Sequence, residues 1–212
     1  MAKGRRRHYG GTAEETVLQP SRPKYRRASA GAKGRGATSL AVRPRPSDPR
    51  QGILRLGPHS FPCALGRGGV SARKREGDGR SPLGPLRVLR GFHRPRASFD
   101  MAPCRTRLAM TPASEALGWC DAPGDRNYNR PVRIPYPASH ERMRRGDGLY
   151  DVCVVLDWNV SERRQGRGSA IFLHLARPGF APTEGCVAVS RRVMMRILPH
   201  LARGVQVLVK GG

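Results

Sequence analysis

One histidine and one cysteine lie close together in residues 168–190, GSAIFLHLARPGFAPTEGCVAVS, with spacing suited to nucleophilic catalysis. Residues 169–175 are apolar, with a β-branched and an aromatic member, and read as a strand. Ala170, Phe172 and His174 would share one face, with Ile171, Leu173 and Leu175 on the other. A connection containing Pro and Gly, 177–182, turns the chain, and Thr183-Glu184-Gly185-Cys186 leads into a second apolar run, 187–189. That return brings Cys186 near His174. A thiol is mostly protonated at neutral pH and becomes a strong nucleophile when an imidazole takes its proton, so acyl transfer through a thioester is the chemistry implied. Gly185 has no Cβ, and can aim the N–H groups of Glu184, Gly185 and Cys186 at one point where an oxyanion forms. Taken alone, the pair fits equally well a small buried cysteine and a satisfied histidine at a strand end.

The elements that must position this pair read as mostly β. Strand-like runs occur at 39–42, 52–56 and 60–65, the last two separated by Gly57-Pro58 in a hairpin spacing. A Pro-rich turn is expected over 43–50, a long basic glycine-rich loop over 66–87, and little definable structure over 88–118, with His93 and Phe99 in loop. Residues 119–132, WCDAPGDRNYNRPV, mix turn formers with aromatics in the manner of a binding loop. A short polar helix capped by Ser139 is predicted over 138–147, with His140 solvated. The most strand-like segment is 150–156, YDVCVVL, which should be central, with Cys153 in the core. Ser190 caps a helix burying Val193, Met194, Ile197 and Leu198; Pro199 ends or kinks it, and 205–209 forms a last strand.

The 212 residues suit one domain plus an extension, and the net charge of +25 is unusual. Residues 1–50 hold 13 Lys and Arg against 3 acids, and the remainder 27 against 12. Such a chain favours anionic partners: nucleic acid, a membrane surface or an anionic wall polymer. Residues 1–37 lack apolar periodicity and read as a basic, disordered extension; the ordered domain is placed at 38–212. Arg5, Arg6 and Arg7 are not followed by an apolar stretch, so no export signal is visible, and no transmembrane segment appears. The glycine-rich loop has no Gly-Lys-Ser/Thr ending, which argues against a phosphate loop. Five cysteines, with no C-x-x-C or H-x-x-x-H spacing, imply neither a complete disulfide framework nor a metal site; Cys63 and Cys120 could pair in an oxidising compartment.

His174, Thr183, Glu184, Gly185, Cys186 and Val187 resemble the signature of the L,D-transpeptidase catalytic domain. In that signature a strand-end histidine is followed by Ser or Thr, often a second histidine, and then Gly-Cys and an apolar residue. Glu184 stands at the second-histidine position, and Ala188 where many members have Arg or Asn. Residues 76–86, EGDGRSPLGPL, look like the family's G-x-x-T/S-P-x-G-x-F loop, with Leu86 in place of the aromatic. The resemblance implies a β-rich sandwich or barrel with one or two short helices, and no cofactor or metal. It implies a Cys186 thioester formed on peptidoglycan stem peptides and resolved by an amine to a 3-3 cross-link, in cell wall biogenesis. His174 is then the base, Gly185, Cys186 and Glu184 form the oxyanion hole, and carbapenems are inhibitors. Asp125, Asn127, Tyr128, Asn129, Tyr136, Arg177 and Thr183 become candidate substrate contacts. A monomer on the periplasmic or wall-facing side is expected.

Two other readings stand beside it. Water or another amine could resolve the same thioester, giving a carboxypeptidase or amidase. A non-catalytic binder of nucleic acid or anionic polymer would use the charge alone, although no helix-turn-helix or RNA-binding pattern marks a specific nucleic-acid partner. Glu184 beside a thiolate calls for a neutralising arginine, Arg177 or Arg191.

Overall fold

The computed structural model describes residues 39–95 and 106–212. The extension at 1–37, Phe99 and Cys104 lie outside the described residues.

Strand β1 (Leu40–Arg45) and β2 (Asp48–Leu56) form a hairpin, and β3 (His59–Ala64) returns over Gly57-Pro58 as its spacing predicts. The 43–50 stretch is mostly strand rather than turn. Pro44 is tolerated because β1 pairs with β14 (Gln206–Val209) only through Val42, so at Pro44 there is one hydrogen-bonded neighbour and a register shift. Within the glycine-rich stretch, β4 (Val70–Ser71) and β5 (Ser81–Pro82) make a two-residue parallel pair.

The longest strand, β6 (Gly84–His93), runs through residues assigned above partly to loop and partly to no element. Gly84, Pro85, Gly91 and the arginines Arg87 and Arg90 obscure its pattern; Leu86, Val88 and Phe92 are nevertheless buried. β6 pairs with β14 along its first half and with β11 (Val152–Leu156) along its second, and β7 (Met110–Pro112) lies beside its end. His93 is therefore a half-buried strand residue, opposite Val152.

A separate sheet, in the order β10–β8–β9, comprises β8 (Leu117–Cys120), β9 (Arg130–Arg133) and β10 (His140–Arg142). The helix predicted at 138–147 does not form. His140, Glu141 and Arg142 pair instead with Cys120, Trp119 and Gly118, and Met143 is fully buried. Six polar residues between Pro137 and Gly146 offer no apolar helical stripe, and the extended chain here buries Met143 at no such cost. His140 is half-buried, with Nδ1 2.8 Å from the Ala138 carbonyl oxygen.

The chain then gives β11, buried at every position, β12 (Phe172–Leu175), β13 (Val187–Val189) and helix α1 (Arg191–Ile197) before β14. Ser190 caps α1, accepting from Val193 N–H at 3.3 Å, and a 3-10 turn through Pro199 ends it. The main sheet runs β11-β12-β13-β3-β2-β1-β14-β6-β7, and the β6–β11 pairing closes it like a barrel. This is the mostly β architecture expected, with one short α-helix. One face of the closing strands, with Leu173, Val187 and Val154, packs with Val193, Met194 and Ile197 of α1. The other, with Phe172, Cys153 and Val155, packs with Trp119 and Met143 of the small-sheet layer. No helix among the described residues is long and apolar enough to cross a membrane.

Candidate active site

The parallel register of β12 and β13 aligns Leu173 with Val187 and His174 with Ala188, so Cys186 stands beside Phe172. Since side chains alternate along a strand, Phe172, His174, Cys186 and Ala188 share one face. His174 and Cys186 open into a cavity of about 380 Å³ whose walls include Lys74, Glu76, Asp121, Glu141, Tyr150, Ser169, Arg177, Thr183 and Glu184.

Two backbone groups hold the Cys186 thiol. Sγ accepts from Phe172 N–H at 3.3 Å and donates to the Ala170 carbonyl oxygen at 3.2 Å. Ala170 has φ +51, a left-handed conformation costly for alanine. Asn129 enforces it: its Oδ1 accepts from Ala170 N–H at 3.1 Å and from Trp119 Nε1 at 2.9 Å, while Nδ2 donates to the Trp158 carbonyl oxygen at 3.0 Å. His174 Nδ1 is 2.8 Å from the Leu175 carbonyl oxygen. A carbonyl can only accept, so Nδ1 carries the proton and Nε2 keeps the basic lone pair. No hydrogen bond joins His174 to Cys186. Burial pushes the thiol up to about 12 and the imidazole down to about 4, so at neutral pH both are uncharged.

The glycine-rich loop braces the cysteine. Ser81 Oγ accepts from Gly66 N–H at 2.9 Å and donates to the Cys186 carbonyl oxygen at 3.4 Å, an oxygen that Thr183 Oγ1 also reaches at 2.7 Å. Arg67 N–H donates to the Thr183 carbonyl oxygen and Thr183 N–H to that of Leu65, at 2.8 and 2.9 Å. Gly185 has φ +131, and a Cβ there would stand 2.7 Å from the Arg80 carbonyl oxygen. Only glycine fits both the conformation and the gap. Gly185 N–H donates to Thr183 Oγ1 at 3.2 Å rather than facing an oxyanion, which corrects the three-donor arrangement expected above: Cys186 and Glu184 N–H remain its candidates.

Glu184 lies on the rim, 72% exposed, with its carboxylate on Arg67 Nε at 2.8 Å. The neutralising arginine is thus Arg67 rather than Arg177 or Arg191. Arg191 reaches Asp151 at 2.6 Å, and Arg177 is exposed on the cavity wall.

The candidate contacts divide. Arg177 and Thr183 line the cavity; Asp125, Asn127, Tyr128, Asn129 and Tyr136 do not. Asp125 Oδ1 accepts from Asn127 N–H at 2.6 Å and from the Tyr136 hydroxyl at 2.7 Å, to which Asn127 Nδ2 donates at 2.9 Å, a self-contained turn. Tyr128 is buried, its hydroxyl donating to Glu76 and accepting from Gly168 N–H at 3.1 Å. Cys63 and Cys120 are free thiols in different sheets.

Tyr150 was not anticipated. Its ring packs edge-on against His174, at 5.1 Å between centroids, and against Phe172, at 5.7 Å, while its hydroxyl donates to Glu141 at 2.5 Å. At the head of an apolar run it reads as core, and only the pairing of β11 with β12 brings it to the histidine. Glu141, hidden in a supposed helix, was missed for the same reason.

The sequence model of the L,D-transpeptidase catalytic domain (YkuD) matches residues 55–209. No curated protein and no solved structure matches this chain.

Proposed function

Since the chain belongs to the L,D-transpeptidase catalytic-domain family, we propose that it transfers acyl groups between peptidoglycan stem peptides, with Cys186 as nucleophile and His174 as base. The observation that carries this reading is the pair on one face of β12 and β13, opening together into the cavity. Cys186 Sγ attacks the carbonyl on the L-centre of diaminopimelate in a donor tetrapeptide. His174 Nε2 takes the thiol proton and returns it to the departing D-alanine amine as the C–N bond breaks, leaving a thioester. An amine of a second stem peptide attacks the thioester, its proton passes to His174, and the thiol is released and reprotonated as the 3-3 cross-link forms.

Thiol and imidazole both rest uncharged, so a preformed thiolate–imidazolium pair is disfavoured. The proton therefore leaves Sγ as the new bond to carbon forms, once substrate draws the thiol off the Ala170 carbonyl. Cys186 and Glu184 N–H groups stabilise the oxyanion. Thr183 and Ser81 act by holding the Cys186 carbonyl, and Tyr150 by fixing the imidazole plane. The reaction belongs on the wall-facing side of the membrane.

The test is incubation with a purified diaminopimelate tetrapeptide and mass analysis of products. Free D-alanine together with a cross-linked dimer is expected. D-Alanine with tripeptide alone would establish hydrolysis instead, and no release of D-alanine would refute the acyl-transfer reading.

A further inference from the structure

Charge is unevenly spread over the described residues. Four acids, Glu76, Asp121, Glu141 and Glu184, line the cavity. The outward face of β2, β1 and β14 has none. Side chains alternate along these strands, so Leu54, Val42 and Val207 point into the core. Ile53, Arg55, Ala41, Arg43 and Leu208 point out, and all are exposed or half-buried, so no described element covers them.

The registers gather the cations of this face. Arg43 lies opposite Ile53, which makes Arg55 its diagonal neighbour, about 7–8 Å away at the backbone. Lys210 N–H donates to the Val42 carbonyl oxygen at 2.8 Å, which carries the parallel register one residue past β14. Lys210 therefore stands beside Arg43, on a strand path about 4.8 Å away. None of these three side chains has an ion pair or hydrogen bond among the described residues. Asp48, at the hairpin bend, is held by Arg50 at 2.9 Å, and Asp157, beside β6, by Arg87 at 2.7 Å. Like charges so placed repel one another, and an anion laid across them relieves the repulsion.

We infer that the outward face of β2, β1 and β14 docks a flexible linear phosphate polymer through Arg43, Arg55 and Lys210. Other occupants fit it less well. The three strands carry no aromatic side chain on which a base could stack, and no helix to enter a duplex groove. The apolar members of the face, Ala41, Ile53 and Leu208, are half-buried, so none projects far enough to anchor in a lipid bilayer. A second copy of the chain would bring the same cations against them. The place of the face in the fold gives the docking a use. Around the closed sheet, β1 is four strands from β12, which carries His174, in either direction, so a polymer held there leaves the cavity open. The inference stands without the acyl-transfer reading; together they describe an enzyme held on a polyanionic matrix with its site turned away from it.

The test is fluorescence anisotropy of end-labelled, long-chain inorganic polyphosphate titrated with the full chain, between about 0.05 and 0.3 M NaCl. Wild type is compared with a face variant combining Arg43→Gln, Arg55→Gln and Lys210→Gln. A control variant combines Arg126→Gln, Arg133→Gln and Arg192→Gln, exposed arginines from three separate parts of the fold. Net charge falls by the same amount in both, and residues 1–37 are common to all three proteins, so only the position of the lost charge differs. At about 0.7 counterions released per cation, the face variant should flatten the slope of log K against log salt by about 2 and bind about 100-fold more weakly near 0.1 M salt. The control should stay within about threefold of wild type. Equal losses in the two variants, or no salt-dependent binding by wild type, overturn the inference. Vesicles of phosphatidylglycerol and phosphatidylcholine, or duplex DNA, bound more tightly than polyphosphate and through the same three residues, would assign the face to that partner and also overturn it. Iodoacetamide should alkylate Cys186 at the same rate with polyphosphate bound; slower alkylation would put the polymer over the cavity and contradict its placement on β1.

Discussion

Replacing Gly185 by alanine probes the coupling between the glycine-rich loop and the nucleophile. The new Cβ would stand 2.7 Å from the Arg80 carbonyl oxygen and 3.3 Å from Ile171 Cδ1, at a φ of +131. A side chain in that conformation costs about 1–3 kcal/mol, and the overlap with backbone adds about 1–3 kcal/mol if nothing moves. The Arg80 oxygen cannot retreat freely, since the next residue, Ser81, donates N–H to the Gly69 carbonyl oxygen and Oγ to that of Cys186. Relief must come from shifting Cys186, and a shift of about 1 Å lowers acylation by about 100-fold. Gly179→Ala is the control: it also has positive φ, +69, but no atom within 4 Å of its would-be Cβ. Urea unfolding and single-turnover acylation of Cys186 are measured on both. Gly185→Ala should lose about 2–6 kcal/mol and the acylation, whereas Gly179→Ala should lose about 1 kcal/mol and retain it. Gly185→Ala within about 0.5 kcal/mol and about threefold of wild type would refute the bracing role.

Asn129→Ala removes three hydrogen bonds, two of them buried and one half-buried, and leaves Trp119 Nε1, Ala170 N–H and the Trp158 carbonyl without this partner, so a loss of about 3–5 kcal/mol is expected in urea unfolding; less than about 1 kcal/mol would contradict it. The Arg67–Glu184 pair is solvated, 57% and 72% exposed, and its double-mutant coupling energy should stay below about 1 kcal/mol. The buried His174 titrates near 4 instead of 6.5, so the unfolded chain binds the extra proton. Stability conferred by keeping it neutral is intact above pH 6.5 and is lost as pH falls towards 4, by up to about 3 kcal/mol. His174→Gln should flatten that part of the stability curve; an unchanged slope would count against the burial argument.

Much of the fold was legible because burial follows period. The faces of β12, the Ser190 cap and the apolar side of α1 need only local pattern, and the Cys186 loop was marked by its glycine. β6 was not legible, because its arginines, proline and glycines mask a strand that long-range partners on both sides select. The same held for β10, where polar residues look helical until Glu141 meets Tyr150 and Met143 meets the core. The loop at 119–132 looked like a binding loop; most of its polar groups satisfy one another, and only Asp121 reaches the cavity. Local sequence cannot separate such turns from ligand contacts, because the same residue types serve both.

The most direct test of the account is intact-mass labelling with a carbapenem, which acylates thiols at a ring resembling the donor's D-alanine end, followed by peptide mapping. A single adduct on Cys186, absent in His174→Ala, is the predicted result. It should form even though iodoacetamide reacts about 1000-fold more slowly than with a free thiol, because burial pushes Cys186 up from 9.0 to about 12. No adduct, or one that forms equally well without His174, would contradict it.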